Sequence, residues 1–374
     1  MKDYDYLIVG AGLFGSIFAR QLTDAGKRCL VLDSRKHIGG NCYSEEKEGI
    51  HVSKYGGHIF HTNDENIWSY VNKFTEFRPY HHLVRVSHKD KLFSFPVNLM
   101  TLNQLWGVTR PEEAEKKLEE VRVKNDNPNN LEEWVVSQIG WELYETFFKG
   151  YTTKQWGKEP KDLPAFIAKR IPIRLTYDSG YFSDKYQGWP ENGYTELFVE
   201  MLKGIEVMKG VDFFTLGGSK YWLQSASKIV FTGKIDEYFN YCHGDLEYRS
   251  LKHEHHWKDG DFQGCATVNY TEGHIPYTRI LEHKHFQPHK AGKNPRTIYT
   301  YEYPDDWDRN KIPFYPINDS KNNETYSQYK WLAKQEKNVI FGGRLAEYKY
   351  YDMHQVVGSA LQKAKKELCQ ENNT

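Results

Sequence analysis

Cysteine is scarce in this 374-residue chain, and its five copies, Cys29, Cys42, Cys242, Cys265 and Cys369, never fall in a C-x-x-C spacing. Cysteines scattered in this way give neither a zinc ribbon nor a disulfide framework, so a reducing compartment, the cytoplasm, is expected. Long apolar runs are missing too. No segment approaches the roughly 20 apolar residues of a membrane span, and the first residues enter a strand without the basic start and apolar core of a signal peptide. A soluble, unexported protein is expected. Charge of one sign is not in excess, since Lys plus Arg and Asp plus Glu are both 50, which removes the bulk-charge argument for nucleic acid or a membrane surface as partner. Repeats, low-complexity tracts and Pro/Ser linkers are absent as well. With 39% apolar and 27% charged residues, the chain reads as a globule of two or three domains.

What is present begins at residue 6. Tyr6-Leu-Ile-Val9 reads as a buried parallel strand, Gly10-Ala-Gly12-Leu-Phe14-Gly15 as a glycine turn, and Phe14 to Ala25 as a helix ended by Gly26. The glycines allow a tight turn and close approach of a pyrophosphate, which the helix N-terminus favours. A second strand, Arg28-Cys-Leu-Val-Leu32, ends at Asp33, where a carboxylate can accept from a ribose diol. The pair Gly39-Gly40 suits a long dinucleotide running on beneath the sheet, as in FAD-binding flavoproteins. Aromatics are abundant, with 27 Tyr and 10 Trp, which fits a polar, carbohydrate-like site as well as a wet sheet surface.

The pattern changes along the chain. Residues 64–76 read as a helix, and His82 to His88 and Lys91 to Phe95 as two alternating strands around Lys89-Asp90. From Leu99 to Arg174 the text is helical: Pro111 starts a helix, Leu131 to Ile139 and Glu142 to Phe148 keep helical spacing, and Leu163 to Ile171 follows. Residues 193–203 form a further helix, then Val211-Asp-Phe213 and Lys228 to Thr232 read as short strands. Residues 245–303 alternate, including Ala266 to Tyr270 and Arg296 to Tyr301. Last come a strand at Asn338 to Phe341, a turn at Gly342-Gly343, and a helix from the cap Asp352 to Leu368. The expected fold is α/β: a discontinuous Rossmann-like FAD-binding domain (1–76, 193–240, 320–374), a small helical domain (98–176), and an antiparallel sheet domain (77–97, 177–192, 241–319).

Three stretches then resemble one family closely: Lys54-Tyr-Gly-Gly-His58-Ile-Phe-His-Thr62, Lys149-Gly-Tyr-Thr-Thr-Lys-Gln-Trp156-Gly157, and Phe341-Gly-Gly-Arg344 through Tyr350-Tyr-Asp352-Met353. Together with Pro164 to Pro172 and Tyr181 to Gly188, the chain is similar over its whole length to the bacterial UDP-galactopyranose mutases. The resemblance implies an isomerase that interconverts UDP-galactopyranose and UDP-galactofuranose. In that family the N5 of reduced FAD attacks the anomeric carbon and UDP leaves; the resulting adduct lets the sugar ring open and reclose, without net redox.

Site residues follow from the same resemblance. Arg170 and Arg344 would bind the diphosphate, a task suited to paired guanidinium donors, and His58 would sit at the reactive flavin edge. For FAD the resemblance implies Gly10, Gly12, Phe14, Gly15, Asp33, Ser34, Gly40, Asn41, His58, Ile59, Asp212, Phe213, Arg344, Tyr351, Asp352 and Met353. For the nucleotide sugar it implies Tyr151, Thr152 and Trp156 at the uridine and sugar, Tyr181, Tyr315 and Tyr350 on the diphosphate, and His82, Asn269 and Arg279 on the sheet. No metal is expected: His81-His82, His255-His256 and His283-Lys-His285 lack companion ligand spacing and read as surface or strand histidines. Two departures stand out, Asp33 where Glu is commoner and His82 where Asn is, and the second leaves a 2-acetamido sugar open. An FAD oxidoreductase of the amine-oxidase type and a non-catalytic nucleotide-sugar binder are the competing readings. The stretch from Trp156 to Tyr177 is expected to close as a lid, and a homodimer is the expected assembly.

Overall fold

The computed structural model describes residues 2–169, 171–215 and 217–371. Arg170, expected on the diphosphate, lies outside them. A five-stranded parallel sheet runs in the order Glu206–Lys209, Cys29–Asp33, Tyr4–Val9, Ala226–Phe231, Val339–Phe341. Its strands come from distant parts of the chain, and Cys29–Asp33 is buried at all five positions, as a sheet covered on both faces requires. The helix Leu13–Asp24 follows the first strand and packs against the C-terminal helix Met353–Glu371. Ligands of such sheets sit at the carboxyl ends of the strands, which here means beyond Val9, Asp33 and Phe231.

The sequence reading of Val211 to Phe213 as a strand needs correction. The edge strand is Glu206–Lys209. Gly210, at φ 72°, ends it, and the Asp212 carboxylate then accepts from Phe214 N at 2.7 Å and Thr215 N at 3.2 Å, an Asx turn that competes with the ladder. The helix expected over 64–76 stops at Val71, and Phe77–Pro79 is a strand of a three-stranded sheet with Phe60–Thr62 and Tyr186–Pro190.

A seven-stranded sheet runs Tyr315–Pro316, Tyr248–Asp259, Arg296–Asp306, Arg279–Glu282, Thr267–Tyr270, Val84–His88, Lys91–Phe95. It was expected to be antiparallel; it is so except for the parallel pair Thr267–Tyr270 with Val84–His88. Against one end of it pack the helical residues, whose core joins Val84, Val86, Phe93 and Phe95 to Leu102, Leu118, Val135 and Leu143. The helical text is more broken than its spacing implied. Gly140, at φ 77° and ψ 173°, kinks the Leu131–Tyr144 helix, because a Cβ there would stand 2.5 Å from the Val121 carbonyl oxygen. A wide π turn, Glu145–Lys149, then leads into the helix Gly150–Trp156. Of the helix expected from Leu163 to Ile171, Phe166–Lys169 forms among the described residues.

Candidate active site

Two connected cavities lie where the sheets meet. The first, about 290 Å³, opens at the carboxyl ends of the parallel strands and is lined by Gly10, Gly12, Phe14, Asp33, Ser34, Gly40 and Asn41. Its floor is two glycine turns set against each other: a Cβ on Gly40 would lie 3.1 Å from the Gly12 Cα, and Gly39 N donates to Ala11 O at 2.8 Å. Gly15 lies beneath the loop and not in the cavity, and a Cβ on it would meet the Gly10 carbonyl oxygen at 1.9 Å. Its role is to let helix and strand touch. Asp33, placed here for a ribose, also holds the loop, its two oxygens accepting from Ala11 N and Arg35 N, each at 2.8 Å.

This cavity fits a dinucleotide on two observations. The helix Leu13–Asp24 has no side-chain cap, which leaves first-turn N–H groups for a phosphate. Arg35, which lines the same cavity, keeps its Nη1 buried without a partner, while its Nη2 donates to Asn41 Oδ1 at 2.9 Å. Asp212 and Phe213 line the far side, where the Asx turn and not a strand puts them.

The second cavity, about 210 Å³, lies between the helical residues and the seven-stranded sheet. It is lined by Tyr151, Thr152, Trp156, Tyr181, Tyr315, Tyr350, His82, Asn269 and Arg279, every described residue that the sequence put on the substrate. Trp156, Tyr315 and Tyr350 form a triangle, with ring centroids 6.1, 5.8 and 5.4 Å apart. Ile59 and Asp352, expected on the cofactor, face this second cavity. Tyr351 faces neither; its contribution is its carbonyl, which accepts from Arg344 Nη2 at 2.5 Å. Asp352 precedes the last helix as expected, and its N–H donates to Gln355 Oε1 at 2.8 Å.

Asn41, His58, Arg344 and Met353 line both cavities and mark the junction. Arg344 is oriented by neutral groups, donating Nη1 to Phe314 O at 3.1 Å and Nη2 to the Tyr351 carbonyl. His58 Nδ1 bonds the Gly56 carbonyl at 2.8 Å, which makes Nδ1 the protonated nitrogen and Nε2 an acceptor. Burial, helped by the Arg344 charge, lowers its pKa to about 4. The ring is therefore neutral at pH 7. His82 is buried against Tyr80, Tyr181 and Phe286, and burial lowers it to about 3; of its two expected places, the substrate site and the surface or a strand, the structure gives the cavity.

Glu302, Gln155 and Thr267, not picked out as site residues from sequence, complete the cavity. Glu302 takes Arg279 Nε at 2.7 Å and Nη2 at 2.8 Å on its two oxygens, a bidentate pair fixed by their direct opposition across strands. Burial pushes the Glu302 carboxyl up, but Arg279 and then His253 outweigh it and hold it at about 2. Gln155 Oε1, Thr267 Oγ1 and Asn269 Oδ1 are buried in this cavity without partners, which such atoms rarely tolerate unless a ligand or water completes them. Glu302 did carry a signal: it is an acid in phase with the buried Ile298 and Thr300 on an alternating strand. His285, expected to lack carboxylate neighbours, has Asp261 and Glu282 at 3.4 and 3.6 Å. Both acids are already engaged, by Lys284 and by the main-chain N–H groups of Phe262, Gln263 and Gly264.

A family model described as UDP-galactopyranose mutase matches residues 146–350, and one described as an NAD(P)-binding Rossmann-like domain matches residues 8–74. The chain is 40% identical over 365 residues to the dTDP-fucopyranose mutase of Escherichia coli, covering 95% of this chain and 96% of the relative. It is 39% identical over 373 residues to a Klebsiella pneumoniae protein named "Probable UDP-galactopyranose mutase", covering 97% of this chain and 94% of the relative. A crystal structure of reduced UDP-galactopyranose mutase superposes with a TM-score of 0.77 at 13% identity over 99% of this chain and 95% of the other, which speaks for the fold.

Proposed function

The chain belongs to the UDP-galactopyranose mutase family of enzymes, and on that premise we propose that it interconverts UDP-galactopyranose and UDP-galactofuranose with reduced FAD in the first cavity. The observation that carries this reading is the junction, where Arg344 and a neutral His58 face both the glycine-floored cavity and the aromatic one. When bound in its reduced form, FAD supplies a nucleophile for the anomeric carbon without net redox. The chain does the rest. Gly12, Gly40 and the first helix turn would hold the pyrophosphate, and Arg35 Nη1 would gain a phosphate oxygen as its missing partner.

On the substrate side, Arg344 stabilises the charge that develops on the departing diphosphate, together with the tyrosine hydroxyls of Tyr181, Tyr315 and Tyr350 and with Arg170. Tyr151 and Trp156 offer flat faces to the base and the sugar. Gln155, Thr267 and Asn269 bring three buried polar atoms that lack partners, which hydroxyls of a sugar or ribose would satisfy. Arg279 is positioned by Glu302, whose ionisation keeps the guanidinium aimed into the cavity. His58 Nε2 is an acceptor at the junction, available to hold or pass a proton as the sugar ring opens and closes.

A second substrate is favoured by one finding: the dTDP-fucopyranose mutase and the protein named for UDP-galactopyranose match this chain about equally, at 40% and 39%. The test is to incubate dithionite-reduced protein separately with UDP-galactofuranose and dTDP-fucofuranose and to chromatograph the products. The proposal expects UDP-galactopyranose from the first at a higher kcat/KM than turnover of the second. The reverse order moves the substrate to dTDP-fucose, and turnover of neither refutes the mutase reading. Arg344→Ala should retain its flavin and lose turnover, and unchanged turnover would remove Arg344 from the mechanism.

A further inference from the structure

The helix Gly150–Trp156 carries four residues of the second cavity, Tyr151, Thr152, Gln155 and Trp156. It continues the π turn Glu145–Lys149 and stops at Gly157, φ 64°. Lys154, on the same helix, does not line that cavity. Its Nζ donates instead to four main-chain carbonyls of the 270–277 turn: Tyr270 at 2.8 Å and Glu272, Ile275 and Tyr277 at 3.0 Å each. An ammonium has three protons, so the four oxygens share them and form a cage around one cation. The contact is close along the whole face, since a Cβ on Gly150 would stand 2.0 Å from the Thr271 carbonyl oxygen. At the other end Arg249, buried in the sheet, donates Nε to Gln155 O at 3.0 Å and Nη2 to Lys154 O at 3.4 Å, and it pairs with Asp306.

The structure assigns Lys154 a positioning role: its ammonium pins the Gly150–Trp156 helix to the 270–277 turn and so keeps Tyr151, Thr152, Gln155 and Trp156 in register for the nucleotide. This rests on the second cavity being the nucleotide-sugar site proposed above. A plain packing role is a poor explanation, because burying a cation costs desolvation that an apolar side chain of the same volume would avoid. The ammonium at that point donates to four converging carbonyl oxygens, which an apolar side chain cannot do. Burial accordingly lowers the Lys154 pKa to about 8, against the opposing charge of Glu272. Arg344 stands on the short helix Gly343–Ala346 and His58 in the loop before Phe60–Thr62, so loosening the Gly150–Trp156 helix should weaken nucleotide binding more than the chemical step.

The test is Lys154→Ala holoenzyme, titrated with UDP and with dTDP and assayed at saturating substrate, with and without n-propylammonium, whose atoms replace those removed. The expected result is full flavin content, a nucleotide Kd raised about tenfold, and kcat within about threefold of wild type. Propylammonium should restore most of the affinity, whereas tetramethylammonium, a cation without N–H donors, should not. Lys154→Met, which keeps the volume without the charge, should lose affinity equally and gain nothing from propylammonium. Unchanged affinity in both variants, equal rescue by tetramethylammonium, or a parallel loss of kcat and flavin would overturn the assignment. If wild type binds neither UDP nor dTDP, the proposed function falls and this inference with it; if wild type binds and the variants match it, this inference alone falls.

Discussion

Arg279 and Glu302 show how one buried pair ties the candidate site to stability. The Glu302 carboxyl is held at about 2, below its ordinary 4.5, so the stabilisation it contributes is complete above pH 4.5 and is lost as pH falls from there toward 2. A shift of that size corresponds to about 3 kcal/mol. His58 and His82, lowered from 6.5 to about 4 and about 3, are neutral in the fold and must be protonated on unfolding in acid, so their contribution begins to fail already below pH 6.5. Urea unfolding across pH should therefore show stability falling in acid from about pH 6.5, and Glu302→Gln should lose about 3 kcal/mol at pH 7 and flatten the part below pH 4.5. A Glu302→Gln curve parallel to wild type there would contradict the pairing. Arg279 was expected on the sheet from its correspondence to the family, whereas Glu302 carried only its phase on an alternating strand, and its pairing depends on its register opposite Arg279, a relation between two strands that local spacing does not carry.

Elements differ in how far their positions can be read locally. The glycine loop was legible because each glycine answers a local constraint, and Gly15 is the sharpest case, with no room for a Cβ beside the Gly10 carbonyl. Gly15→Ala should force the first helix off its strand at a cost of about 1–3 kcal/mol and lower the flavin-to-protein ratio after purification; a variant with unchanged flavin content would show that the helix position does not govern binding. Val211 to Phe213 was misread because apolar residues beside a sheet resemble a strand, while the Asx turn at Asp212 and the positive φ of Gly210 decide otherwise. The helical residues 131–156 kept their periodicity in sequence and hid two interruptions. The kink at Gly140 answers the carbonyl of Val121, and the π turn at Glu145–Lys149 leads into the helix whose place depends on Lys154 and Arg249.

At the scale of the whole molecule, two sheets and a helical layer meet so that a glycine-floored cavity and an aromatic, arginine-lined cavity share Asn41, His58, Arg344 and Met353. Under the proposed function, this sharing would gather charge and acceptors where a diphosphate leaves, beside a cofactor that would act on the sugar without net redox. The family resemblance named the two sets of residues, but their junction depends on the stretch from Gly342 to Met353 returning to the N-terminal loop. The account stands on the redox behaviour of that junction. The direct measurement follows UDP-galactofuranose and dTDP-fucofuranose with one flavin-loaded preparation, air-oxidised or dithionite-reduced, while oxygen uptake is recorded in the oxidised sample. Conversion of at least one furanose to its pyranose only after reduction, with no oxygen consumed in proportion to substrate, is the predicted result; conversion by the oxidised protein, or stoichiometric oxygen uptake with an oxidised sugar product, would contradict it.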